Sequence, residues 1–191
     1  MIYTIKKGHH IDRSVKALVA RFYYRFLKSI NVRKTHSIQF SFRILSDPYD
    51  IRPDPDQLDS SKLFGVNLNK NNPSNYDAAI VTFQSNPEKG TWDIAPYFNY
   101  DKGKFVRPNE ISVKRGQDVS GEIRFIHDSL VKIKIFTDEK AIEAQYLWDK
   151  DFRKAAYILP WHGGADNNKD GTGGVAPTDI KIQLTFHCKK L

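Results

Sequence analysis

The sequence predicts an all-β fold: a two-sheet antiparallel jelly-roll sandwich with at most one or two short helices, in one domain spanning 1–191. Three observations carry this. Many short runs alternate apolar with polar residues. Turn clusters such as "NKNNPSN", "NPEKG", "DKG" and "KRGQD" separate them. The chain of 191 residues is 40% hydrophobic and 13% aromatic, enough for a sizeable core without staples. Its single cysteine, Cys188, excludes an internal disulfide and a cysteine metal cluster.

Taken in order, "IYTIK" at 2–6 reads as a short strand. Residues 15–27 fit two patterns. Val15, Leu18, Val19, Phe22, Tyr23 and Phe26 form a helical stripe, while Leu18, Ala20, Phe22, Tyr24 and Phe26 form a strand face. In "HSIQFSFRIL", Ile38, Phe40, Phe42 and Ile44 alternate with polar partners, the mark of a half-buried strand. Residues 46–61 hold three prolines and five aspartates and read as a long loop. Strand-like runs follow at "KLFGVNL", "DAAIVTFQ", "TWDIAPYFNY", "GKFVR", "GEIRFIHD" and "LVKIKIFT". Val131, Ile133 and Ile135 alternate with Lys132 and Lys134, so that strand has one wet face. Residues 138–156 suggest a short helix, and "TDIKIQLTF" a closing strand with Ile180, Ile182, Leu184 and Phe186 inward.

The net charge of +8 is unevenly placed. Residues 1–45 carry ten Lys/Arg against one acid, Asp12; the rest of the chain is close to neutral. The basic segment, 1–35, suits an acidic partner, with nucleic acid reached only through non-specific electrostatics. Arg21, Arg25 and Lys28 beside Phe22 and Phe26 read as an interface element for neighbouring subunits. No run approaches about 18 apolar residues, so no membrane span is predicted. The first residues lack the apolar core of a signal peptide, which predicts synthesis in the cytosol.

The two ends carry a further pattern: Tyr3, Ile5, Lys6, Lys7, Gly8 and His10 at the start, and Trp161, His162, Gly163, Gly164, then Ala176, Pro177, Thr178, Asp179 and Ile180 near the end. These stretches resemble small jelly-roll proteins of gut bacteria and their phages, within the concanavalin A-like lectin/glucanase superfamily. Trp161-His162 stands where that pattern has Tyr-Phe, and Thr178 where it has His. The resemblance implies the sandwich fold. It leaves function open among lectins, glycosidases, lyases and structural modules.

Four chemistries are worth placing on residues. Asp166, Asn168, Asp170 and Gly171 match the first half of a calcium loop, with Thr172 offering its carbonyl, but Pro177 occupies the twelfth position where a bidentate glutamate belongs. The same stretch reads equally as a solvated turn. Hydrolysis needs two carboxylates about the scissile bond, and no E-x-D-x-x-E run exists; Glu122 and Asp128 stand unpaired. A lyase could use His127 or His162 with Tyr97 or Tyr100. A lectin site needs rings and polar groups: Trp161, His162, Trp92, Tyr97, Tyr100 and Asn99, with Asp93 nearby in sequence. The reading that results is a non-catalytic, lectin-like module on a phage particle or bacterial surface. Its ligand is a glycan, and a Ca2+ ion at 166–172 is its one candidate cofactor. The alternatives are a structural virion protein and a polysaccharide lyase.

Overall fold

The computed structural model describes residues 1–49, 60–69, 76–101, 104–163 and 174–190. Among the described residues, thirteen strands form two antiparallel sheets in a jelly-roll sandwich. The first sheet contains β1 (Ile2–Ile5), β3 (Thr35–Ile44), β9 (Val119–His127), β10 (Leu130–Phe136), β11 (Ala141–Leu147) and β13 (Ile180–Lys190), in the order β1-β13-β3-β9-β10-β11. The second contains β2 (Ile30–Asn31), β4 (Ser61–Asn67), β5 (Ala78–Asn86), β6 (Thr91–Tyr100), β7 (Lys104–Val106) and β12 (Lys154–Ile158), in the order β2-β12-β4-β5-β6-β7, with β8 (Ile111–Val113) also pairing β6.

The alternation seen in sequence sets which side faces the core. Ile38, Phe40, Phe42 and Ile44 of β3, Val131, Ile133 and Ile135 of β10, and Ile180, Ile182 and Leu184 of β13 are all buried between the sheets. Phe186 is partly buried against Phe64 and Tyr157. Strands β4, β5 and β6 are buried along almost their whole length, on both faces, as their near-continuous apolar runs require. The first sheet is different. Its outward side chains on β3, β9, β10 and β13 remain accessible.

The ambiguous residues 15–27 resolve as a helix. The helix α1 (Val15–Phe22) runs into a π-helical turn, Tyr23–Leu27. Ser14 caps it, its hydroxyl accepting from the Ala17 amide at 3.3 Å. Asp12 fixes the approach by accepting from the amides of Thr4 and Ser14. The short helix expected within 138–156 is absent. β11 and β12 occupy that stretch, and Ile142, Ala144 and Tyr146 alternate with exposed neighbours along β10. Period-two pairing to an existing edge prevails there over the helix propensity of "EKAIEAQ".

Candidate functional site

The two end motifs meet in space. Gly8 donates to the Ala176 carbonyl at 2.8 Å, Ala176 to His9 at 3.0 Å, and His162 to His10 at 2.8 Å. Lys6 pairs with Asp179 at 2.6 Å, and the Lys7 amide donates to the same carboxylate. Those contacts hold the Asp179 carboxyl below its ordinary range, the Lys6 hydrogen bond being the larger cause. Gly163 takes a left-handed φ of +74° and lies so close to Gly174 that a Cβ there would strike its backbone. The terminal signature is thus a clasp joining the chain's first and last segments.

This placement corrects most of the sugar-binding set. Trp92 is fully buried, its indole donating to the Ser46 carbonyl at 3.0 Å. His162 is 1% exposed, so neither residue can meet a ligand. Nδ1 of His162 donates to the Gly174 carbonyl, and burial lowers its pKa to about 4. Trp161 is not an open ring at a loop mouth. It stacks on His10 with centroids 5.3 Å apart, and the Arg21 and Lys62 cations lie about 6 Å from its ring centre. Asn99 is buried, and Asp93 is held by Ser112 and Asn86. Tyr97 and Tyr100 face opposite sides of β6, Tyr97 stacking on Phe105 and Tyr100 on Tyr146. Of the two lyase histidines, His127 is exposed and His162 is not. His127 accepts from the Ser129 hydroxyl at 3.0 Å in the β9–β10 turn, and His162 is sealed in the clasp.

Among the interface residues, Arg21 turns inward, donating to the Pro160 carbonyl at 2.6 Å. Arg25 and Phe22 are exposed, and the exposed Lys28 sits over the Tyr24 ring at 5.5 Å. The Phe26 side chain lies outside the described residues. So do the candidate calcium ligands Asp166, Asn168, Asp170 and Thr172, and residues 50–59 of the long loop.

An accessible concave feature lies elsewhere, on the outer face of the first sheet. A groove of about 740 Å³ is lined by Gln39, Ser41, Ser120, Glu122, Arg124, Lys134, Phe136, Thr185 and His187, among others. Strand register explains why these residues gather. His187 stands opposite Gln39, Gln39 opposite Glu122, and Glu122 opposite Lys134. Four polar side chains from β13, β3, β9 and β10 therefore form one row across the sheet, neighbours about 5 Å apart. A second row, Thr185, Ser41, Ser120 and Phe136, runs beside it. Gly121 and Phe40 contribute to the floor, the Phe40 ring filling the space a Cβ on Gly121 would need.

The groove's charge is positive. Arg124 pairs with Glu122 at 2.8 Å, and Lys132 with Glu143 at 2.7 Å beside it. Lys132 holds the Glu143 carboxyl below its ordinary range, with Lys134 adding to the effect. Lys134 itself is exposed and makes no salt bridge with a described residue. These residues escaped the sequence reading because each looks like the wet face of its strand. Only the β13-β3-β9-β10 adjacency assembles them.

Comparison with solved structures places the fold. The chain matches alginate lyase Aly36B with a TM-score of 0.57 at 14% identity, over 100% of this chain and 80% of that one. A mutant of the same enzyme, in complex with alginate trisaccharide, matches at 0.54 and 13% identity, over 100% of this chain and 81% of that one. The exolytic PL7 alginate lyase AlyA5 from Zobellia galactanivorans matches at 0.53 and 10% identity, over 86% of this chain and 77% of that one. No protein-family model matches the sequence, and a search of curated proteins found no match. The likeness is one of fold, and it confirms the jelly-roll expectation. It also overturns the expectation of a non-catalytic module. That expectation rested on missing paired carboxylates, which speaks only against hydrolysis, and on reading the histidines as structural residues. These three solved structures are of lyases, whose chemistry needs no such pair.

Proposed function

We propose that the protein is a polysaccharide lyase that binds an acidic, uronate-containing chain in the groove on the outer face of its first sheet. The observation that carries this is the cross-strand row His187–Gln39–Glu122–Lys134 in an accessible, positively charged groove. β-Elimination makes three demands. The uronate carboxylate must be neutralised so that the C5 proton becomes acidic. A base must take that proton. The glycosidic oxygen must receive a proton as the C4–O4 bond breaks and the C4=C5 double bond forms.

The groove offers a group for each. Arg124 and Lys134 supply positive charge for the carboxylate, and the Gln39 amide supplies a hydrogen-bond donor beside them. His187 is exposed on the neighbouring strand, and imidazole is the side chain suited to take a proton near neutral pH. None of the described lining residues is a tyrosine. His187 is therefore the residue on hand both to take the C5 proton and, as imidazolium, to return one to O4, which requires both on the same face of the sugar.

The test is a kinetic comparison of the protein and its His187→Ala variant on alginate, polygalacturonate and glycosaminoglycans, followed by ultraviolet absorbance of the unsaturated product. His187→Ala should lower kcat at least about 100-fold with little change in KM. Activity that survives the substitution would remove His187 from the mechanism. A flat signal on every acidic polysaccharide would remove the lyase reading.

A further inference from the structure

We propose that the outward ridge of α1 and its π-helical turn docks the protein onto an anionic lipid bilayer. The helix is inside out. A helix laid on a protein core normally buries its large apolar stripe and turns polar residues to water. Here Ala17 and Ala20 are the buried residues of α1. Val15, Leu18, Val19, Phe22, Tyr23 and Leu27 are 43–78% exposed, and they make up six of the thirteen large exposed hydrophobic residues described. Their spacing puts them on one face of a continuous helical path.

The ridge is nevertheless held firmly. Ser14 caps its start, Arg21 donates to the Pro160 carbonyl, and Tyr24 packs edge-on against Tyr157 and Phe186. The exposed apolar face is thus presented by a tethered element, its six side chains grouped along one helical path rather than scattered.

Charge selects the occupant. Arg13, Lys16, Arg25 and Lys28 are exposed along the ridge, and residues 13–45 contain no acid. Asp12, just before them, is buried and accepts from two backbone amides. A second copy docked about a twofold axis would set these cations against their own duplicates. An acidic protein would need a groove shaped to a projecting ridge. A bilayer needs no complementary shape: apolar side chains enter the acyl boundary while Lys and Arg remain at the level of anionic headgroups. The inference does not depend on lyase activity.

The experiment is sedimentation of the intact protein with vesicles of phosphatidylcholine alone and of phosphatidylcholine with phosphatidylserine, at low and high salt. Binding is expected to the phosphatidylserine vesicles only and to fall as salt rises. Leu18→Ser and Phe22→Ser should each weaken partitioning about tenfold while leaving the thermal unfolding profile in place, since both side chains are exposed. Three results would overturn the proposal: no binding to phosphatidylserine vesicles, equal binding to neutral ones, or binding that both variants retain. Sedimentation velocity supplies a fourth. Self-association abolished by the same variants would assign the ridge to a second copy of the chain.

Discussion

The Tyr49 hydroxyl donates to Nε2 of His162 across 2.5 Å, while Nδ1 of the same ring donates to the Gly174 carbonyl. Both ring nitrogens are used, so the imidazole is held neutral, its pKa lowered to about 4 by burial. Burial also raises the Tyr49 pKa, keeping the hydroxyl a donor. In the unfolded chain the histidine takes its proton near its ordinary value of 6.5. Between about pH 6.5 and 4 the unfolded state therefore binds more protons than the folded one, and stability falls as pH falls. The full contribution is present above pH 6.5, and its loss reaches roughly 3 kcal/mol once the folded ring also protonates. Denaturant melts from pH 7.5 down to about 4 should show this decline, and His162→Gln should flatten it.

Trp92 tests whether the aromatic residues serve the core or a ligand. Fully buried against Phe83 and Tyr49, it should cost about 3–5 kcal/mol of stability when replaced by alanine. Polysaccharide affinity of the fraction that remains folded should be unchanged. Urea unfolding and a binding titration separate the two effects.

Much of the fold was legible because burial imposes a period on each strand. Ile38-Phe40-Phe42-Ile44 and Val131-Ile133-Ile135 could face a core only as strands, and they do. Residues 15–27 were not legible. The apolar stripe there is not the buried face, so hydrophobic periodicity pointed away from the packing that decides the element. The candidate site was hidden for a different reason. Gln39, Glu122, Lys134 and His187 are far apart in sequence and each occupies an unremarkable wet position; register across three strand pairs makes them neighbours. Trp161 misled in the opposite sense. Its glycine neighbours suggested an open loop, while its partner, His10, lies at the other end of the chain.

Gly121 sits where the groove floor meets the core. A Cβ there would collide with the Phe40 ring and come within 2.5 Å of the Lys134 carbonyl. Gly121→Ala should destabilise by about 1–3 kcal/mol and should disturb the row of side chains above it. Thermal unfolding gives the first effect, and a rise in KM on acidic polysaccharide gives the second.

Glu122 restrains the charge of the groove through its pair with Arg124. Glu122→Gln removes one negative charge and releases that guanidinium, so binding of a polyanion should tighten several-fold at low salt. Lys134→Ala should weaken it by a similar factor. Both effects should shrink as ionic strength rises. Isothermal titration with acidic oligosaccharides at two salt concentrations distinguishes this from a change in folding.

The elimination proposed for the groove leaves its mark on the products. Mass spectrometry of the products tests it most directly. Elimination leaves a non-reducing end with a C4=C5 double bond, one water lighter than the end that hydrolysis leaves. Such unsaturated ends are expected from at least one uronate-containing polysaccharide, and they should disappear in His187→Ala. Hydrated ends, or an uncleaved chain across every acidic polysaccharide tried, would contradict it.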